Sequence, residues 1–457
     1  MFLSELDKLV SKYNLPVPRY TSYPTVPFWK EEIDRMKWQE AFRDQYINSC
    51  KEEGISIYIH LPFCESLCTY CGCNKKITTN HQVEEEYIDA ITKEWDLYRK
   101  LMPQKPVIRE IHLGGGTPTF FSPENLSIVL NRIFDDAIVH PQKEFSLEGH
   151  PNNTTRNHLE TLFKLGFSRI SYGVQDNDPE VQRIINRIQP LENVKNAIQH
   201  ARYVGYRSVN FDLIYGLPRQ TLASMERTIS QTLDLKPDRI AFYSYAHVPW
   251  NSRAQRLFDE NDLPDAELKM QLYLLAKRMF LSHGYVDIGM DHFSLPSDEL
   301  FLAKKAGQLY RNFMGYSARR TGFLLGLGVS AISDIGKAFA QNQKTLQHYY
   351  DAINRKEFAV TKGHFLSRED ISFRKYILDI SCNGHTIFRN EDRIALEQFS
   401  FPELKKLATD RLVVFNNKEL TVTDTGTHFI RNICRAFDLH LLRNDPSIKP
   451  AQFSRAV

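Results

Sequence analysis

From residue 55 to about 250, short β-branched or aromatic runs alternate with segments whose apolar residues return every three or four positions. The runs are ISIYIHLP, VIREIHLGGGTP, EFSLEGHP, RISYGVQ, SVNFDLIYGLP and RIAFYSYAHVP, and each reads as a strand. Between the first two, Tyr87, Ile88, Ile91, Trp95, Tyr98 and Met102 recur at helical spacing behind an acidic first turn, Glu84 to Glu86. Thr154 and Thr155 are candidate caps for a helix through Leu159, Leu162 and Phe163, and Met225, Ile229 and Leu233 mark another. Six βα units in a row predict an α/β fold on a parallel sheet, doubly wound or curled into a full or partial barrel. Helices are expected at roughly 264 to 283 and 335 to 356, with a loop-rich stretch between them. From about 365 the pattern suggests a separate small domain: VVFNNKELTVT reads as a hairpin with a polar turn, followed by a helix through Arg431, Ile433 and Phe437.

Composition narrows the class. A chain of 457 residues is long enough for a large domain and a smaller one, and 42% hydrophobic with 25% charged residues is ordinary globular make-up. A formal net charge of +3 gives no electrostatic case for nucleic acid or an anionic membrane. The start, MFLSELDKLV, has charges among its apolar residues and no signal-peptide core, and the stretch GFLLGLGVSAIS ends too early to span a bilayer. A cytoplasmic location and no membrane partner are therefore expected.

Cysteine placement changes the picture most. There are seven, and four lie between Cys64 and Cys73. A disulfide framework would spread them. Cys64, Cys68 and Cys71 form C-x3-C-x2-C on a loop after the first strand, a spacing that can hold a cubane cluster and leave one iron without a protein ligand. Cys73 is too near Cys71 to be an easy fourth ligand. His60 and His81 offer a rival Cys3His zinc set, and spacing alone leaves both open.

These residues, with Tyr70 before the last cysteine and GGGTP (Gly114 to Pro118) one βα unit later, resemble the radical S-adenosylmethionine (SAM) superfamily. PRYTSYPT, CGCNK, VQRIINR, FDLIYGLPRQT, MDHF, RNF-x-GY, GVSAIS and RNIC narrow the likeness. Across nearly the whole chain, it is similar to the oxygen-independent coproporphyrinogen III oxidase family. The resemblance implies a (β/α)6 partial TIM barrel over 55–360. An N-terminal arm, 1–54, would cover the active site, and 361–457 would form a small, mainly helical C-terminal domain with a β-hairpin. It implies a [4Fe–4S] cluster on Cys64, Cys68 and Cys71, with two SAM molecules per site. SAM would be held by Tyr58, Tyr70, Gly115, Gly116, Thr117, Glu148, Gln175, Arg187, Asp212, Ala246 and Ile332. Within that set Glu148 suits the SAM ammonium, Arg187 its carboxylate and Asp212 the ribose hydroxyls, while Gln175 bridges polar groups. Each has a plainer reading as a helix cap, salt-bridge partner or surface charge.

The implied reaction converts two propionates of coproporphyrinogen III to vinyl groups, giving protoporphyrinogen IX. A low-potential donor such as flavodoxin or ferredoxin and an unidentified electron acceptor are expected, and a monomer. Arg19, Lys75, Lys76 and Arg183 are candidates for holding propionates. Tyr20, Tyr23 and Trp29 are read as either an aromatic lid or core packing. The chain departs from the family pattern at Met314, where glutamine is usual, and at Gly149 and His150, which intervene before Pro151. The rival readings are a haem-binding chaperone of the same superfamily, a divergent radical SAM enzyme acting on haem, and a zinc-stapled nucleic-acid module.

Overall fold

The computed structural model describes residues 2–49, 53–250, 252–443 and 453–455. Six parallel strands follow one another in sheet order as in sequence: β1 Ile55–Leu61, β2 Val107–Gly115, β3 Ile138–Gly149, β4 Phe167–Gln175, β5 Ser208–Tyr215 and β6 Arg239–Ser244. The crossovers carry helices α1 Val83–Leu101, α2 Pro123–Asp135, α3 Arg156–Lys164, α4 Leu191–Val204 and α5 Leu222–Asp234. All seven positions of β1 are buried, as a strand covered on both faces requires. Helix α1 buries Tyr87, Ile88, Ile91, Trp95 and Tyr98, and its ends carry Glu84–Glu86 and Arg99–Lys100, the charge order the helix dipole favours. Thr155 caps α3 with His158 in a reciprocal box, whereas Thr154 turns instead to Thr119 and the His150 carbonyl.

The sheet is longer than six strands. Leu324–Leu327 adds in parallel beyond β1, followed by Ile332–Asp334, Ala338–Asn342 and Val360–Phe365, while His292–Ser294 and Val286–Gly289 extend the β6 edge. Twelve strands result, and among the described residues no pairing joins the outer two, so the barrel is partial. The stretch expected to be loop-rich thus contains short strands. The helix expected over 335 to 356 is only half right. Ala338–Asn342 is a strand with all five residues buried, and the helix begins at Leu346, where Thr345 accepts a hydrogen bond from His348 N. A strand buried on both faces has no alternation to distinguish it from a buried helical turn.

Glu94 of α1 is fully buried and fastens the helix to the far end of the sheet. It accepts from Gly328 N (2.7 Å), Asn342 Nδ2 (2.6 Å) and Tyr349 OH (2.7 Å). Burial lifts its carboxyl to about 7 against these bonds.

One hydrophobic core runs from Leu6 in the arm, through the barrel, to Leu439. Tyr20 and Tyr23 belong to this core, and with Trp29 they are 2–3% exposed, so these aromatics pack in the interior. Tyr20 OH donates to Asp438, Tyr23 OH accepts from Leu439 N, and Trp29 stacks on Phe339 at 5.0 Å. The C-terminal region holds helices Arg368–Asn383, Phe401–Thr409 and Ile430–Arg435. The expected hairpin, Val413–Phe415 with Glu419–Val422, gains a third strand, His385–Ile387. Phe437 lies buried just beyond the helix it was expected to close. At the junction of the parts, Asp370 bonds His364 Nε2 (3.1 Å) and His440 Nε2 (2.7 Å), and Phe28 of the arm packs on the His440 ring. No helix among the described residues is long and apolar enough to cross a membrane.

Candidate active site

The cysteine loop leaves the end of β1 and is clamped from several sides. Phe63–Cys64 pairs with Lys76–Ile77, and Thr78 N donates to Cys64 O at 2.9 Å. The GGGTP segment at the end of β2 runs alongside, with Gly116 N bonded to Leu61 O (2.8 Å) and Thr117 N to Phe63 O (3.0 Å). Only glycine permits this approach: a Cβ on Gly116 would stand 2.6 Å from Pro62 O and 3.0 Å from Cys64 Sγ. On the other side Thr69 N bonds Ile185 O (2.9 Å), and Gln255 Nε2 bridges Tyr70 O (2.9 Å) and Ala246 O (3.2 Å).

The donor set fits an iron–sulfur cluster better than zinc. Among the described residues, only His364, Asp370 and His440 bring three potential ligand atoms within 4.8 Å of one another, so the three thiols are spread more widely. A zinc tetrahedron with Zn–S of about 2.3 Å needs sulfurs about 3.8 Å apart. The two histidines of the zinc reading differ. His60 engages Tyr58 OH (3.0 Å) and Asn74 O (2.9 Å) through its two nitrogens. His81 bonds Glu84 at 2.7 Å and stacks on Phe120. Thr117 Oγ1 donates to Cys64 Sγ at 3.3 Å, and Arg187 Nη1 to Cys68 Sγ at 3.6 Å, which suits thiolates. The hydrogen bond from the Cys73 thiol draws Cys71 down towards the thiolate, while burial, with Cys71 and Cys68 adding to it, pushes Cys64 up to about 11. Of the remaining cysteines, Cys382 and Cys434 are buried elsewhere, and Cys50 lies outside the described residues.

Above the loop opens a cavity of about 450 Å³, a size that suits a cofactor. Cys64, Cys68, Cys71, Tyr70, Gly115, Gly116, Thr117, Glu148, Gln175, Arg187 and Asp212 all line it. Glu148 accepts from Gly115 N (3.2 Å) and faces His112 Nε2 (3.4 Å). Asp212 accepts from Ser171 Oγ (2.9 Å), and burial, aided by Glu148, raises its carboxyl to about 7. Arg187 donates to Gly173 O, and its Nε is buried without a partner. Gln175 sits at φ +66°, and a Cβ on Gly173 would meet its amide at 2.6 Å and Arg187 Nη2 at 3.1 Å. Gly173 is thus a site residue that the strand pattern missed, because its contribution is the absence of a side chain.

Tyr58, Ala246 and Ile332 do not line this cavity. Tyr58 stands behind it, stacked on His112, with its ring 3.0 Å from a Cβ placed on Gly114. Ala246 acts through its carbonyl on Gln255. The Ile332 backbone packs against Gly326, which pairs with Tyr58. His150 lines the cavity as a neutral ring: burial, then Arg187, lowers it to about 3, and its Nδ1 accepts from Asn152 N. Met314 packs with Phe313 against Tyr58, one cavity further along. Of the proposed propionate holders, Lys75 lines this cavity and Arg19 the next one, whereas Lys76 and Arg183 are exposed. Tyr243 of β6, not anticipated from the pattern, borders both.

The class follows from this arrangement of cysteine loop, glycine cradle and strand-end polar groups. Residues 58–231 match the Radical SAM superfamily, and the protein is a radical SAM oxidoreductase. It is 35% identical to the oxygen-independent coproporphyrinogen III oxidase of Pseudomonas aeruginosa, over 98% of each chain. Against the enzyme of that name from Escherichia coli K12 it is 37% identical, again over 98% of each. Its structure superimposes on the solved Escherichia coli coproporphyrinogen III oxidase, described as a radical SAM enzyme. The TM-score is 0.87 and the identity 36%, with 93% of this chain and 100% of that one covered. The chain belongs to the oxygen-independent coproporphyrinogen III oxidase family.

Proposed function

We propose that the protein carries out the anaerobic oxidative decarboxylation of two propionates of coproporphyrinogen III to vinyl groups, giving protoporphyrinogen IX. The observation that carries this is the convergence of Cys64, Cys68 and Cys71 with Glu148, Arg187 and Asp212 on one cavity at the carboxyl ends of the parallel strands. When bound there, a [4Fe–4S] cluster and SAM supply the hydrogen-abstracting radical chemistry. The three thiolates hold the cluster, and Thr117 and Arg187 donate to two of them. Glu148 takes the SAM ammonium, the Arg187 fork takes its carboxylate, and Asp212 accepts from the ribose. Tyr70, Gly115, Gly116, Thr117 and Gln175 shape the walls, with Tyr58, Ala246 and Ile332 supporting them. Two SAM molecules per site belong to the same reading; Met314, where the family has glutamine, has a thioether with no hydrogen-bond donor to offer.

The division into arm (1–54), barrel (55–360) and C-terminal domain (361–457) belongs to the same reading, with the strand Val360–Phe365 crossing the last boundary. So do a flavodoxin- or ferredoxin-type donor, a separate electron acceptor and a monomeric state. The test is an anaerobic assay of reconstituted protein with coproporphyrinogen III, SAM, a reductant and cell extract as acceptor, followed by mass spectrometry. Protoporphyrinogen IX should form together with methionine and 5′-deoxyadenosine, and Cys68→Ser should abolish all three. SAM cleavage with coproporphyrinogen left untouched would sink the substrate assignment.

A further inference from the structure

Beside the cysteine chamber lies a second cavity of about 260 Å³, walled by the arm, β6, the turn at Met290–His292, the hairpin at Met314 and the C-terminal helix Ile430–Arg435. Tyr243 lines both cavities, so the two adjoin at the barrel mouth. Arg19, Arg311 and Arg431 border it, and among the described residues Asp291 is the only carboxylate lining it. Arg431 is occupied in holding the arm, through the carbonyls of Val17 and Pro18.

Arg19 and Arg311 are placed differently. Their hydrogen bonds go only to backbone carbonyls, Arg19 Nη2 to Ser244 O (2.6 Å) and Arg311 Nη1 to the carbonyls of Arg19 (3.1 Å) and Tyr20 (2.9 Å). Arg311 is 8% exposed, and its Nε is buried without a partner, as is His292 Nδ1 beside it. Three guanidinium groups face one buried carboxyl here, and Arg311 Nε is left without a partner, an excess of positive charge and donors that an incoming anion completes. Met270, Met290 and Phe313 supply apolar wall between the charges. An anion bound here therefore carries a hydrocarbon body.

We infer that this cavity binds a propionate-bearing pyrrole of the porphyrinogen, with Arg19 and Arg311 taking the carboxylate of a propionate that is not reacting. A neighbouring propionate then faces the cysteine chamber across Tyr243, and the carboxylate of Asp291 accepts from a pyrrole N–H. This rests on the functional reading above and adds the residues that orient the macrocycle.

The test titrates reconstituted holoenzyme with coproporphyrin III, the stable oxidised form, and with its tetramethyl ester, by fluorescence quenching. Arg19→Gln, Arg19→Lys and Arg311→Lys are compared with wild type. Free acid should bind at least about tenfold tighter than the ester, and Arg19→Gln should lose about tenfold, with Arg19→Lys restoring part of it. The KM for coproporphyrinogen III should rise in step, with a smaller change in kcat. Equal binding of acid and ester overturns the inference, as do unchanged variants or a loss accompanied by reduced iron content. If the wild type converts coproporphyrinogen III while the variants match it, the arginine assignment alone fails. If the wild type neither binds nor converts it, the functional reading falls too.

Discussion

Asp212 lies within β5, three residues before the end at Tyr215 that was expected for it, with its carboxyl raised to about 7, first by burial and then by Glu148. Below that pH it is protonated, and above it the carboxylate accepts hydrogen bonds from a ribose diol more strongly. SAM affinity of the holoenzyme should therefore rise through about pH 7, and Asp212→Asn should flatten that rise. Equilibrium dialysis with labelled SAM across pH 6 to 8 checks it. At this scale the residues that meet at the cavity were largely legible in the sequence, because cysteine spacing and polar side chains at the strand ends stand out by type. Tyr58, Ala246 and Ile332 do not line the cavity, a distinction that depends on side-chain position rather than on residue type. Gly173 was invisible for a different reason: what it provides is room.

Two strand ends lie side by side at the cysteine loop, and Gly116 marks where their backbones nearly touch. Gly116→Ala would press a methyl group onto the Pro62 carbonyl and the Cys64 sulfur, neither of which is a flexible side-chain end. The purified variant should reconstitute with a clear loss of iron and sulfide relative to wild type, while its far-ultraviolet circular dichroism stays the same. The six parallel strands could be read from their β-branched runs because each ends in a polar or glycine-rich motif. The short strands from Val286 to Asn342 could not: runs of three to five residues, most of them paired antiparallel, are too short for any period to declare itself. Residues such as Ala338, Phe339 and Ala340 suit either state, and the tertiary partners decide.

Across the whole molecule, the His364–Asp370–His440 bridge ties the sheet edge to the C-terminal helices beneath the arm. Burial opposes ionisation of Asp370, but the bonds from His364, His440 and Ser367 prevail and hold its carboxyl far below the usual range. A depressed carboxyl stabilises the fold above its unfolded pKa of about 4 and loses that contribution as pH falls further. Asp370→Asn should cost roughly 2 kcal/mol at neutral pH, read by denaturant titration. The gap from wild type should narrow below about pH 4. Such contacts between distant parts of the chain leave no local trace in sequence, which is why the partners of the arm's aromatics could not be read from it.

The arm's anchors come from the other end of the chain: Arg431 on Val17 and Pro18, Asn432 on Tyr13, Asp438 on Tyr20 and Ser454 on Val17. A ribosome makes the arm long before those anchors. Through most of synthesis Tyr20, Tyr23 and Trp29 therefore trail uncovered from a half-built barrel, the kind of exposed apolar surface that chaperones shield. The cavity bordered by Arg19 and Arg431 comes into being only when the helix Ile430–Arg435 docks, so a nascent chain that has not reached it lacks that cavity.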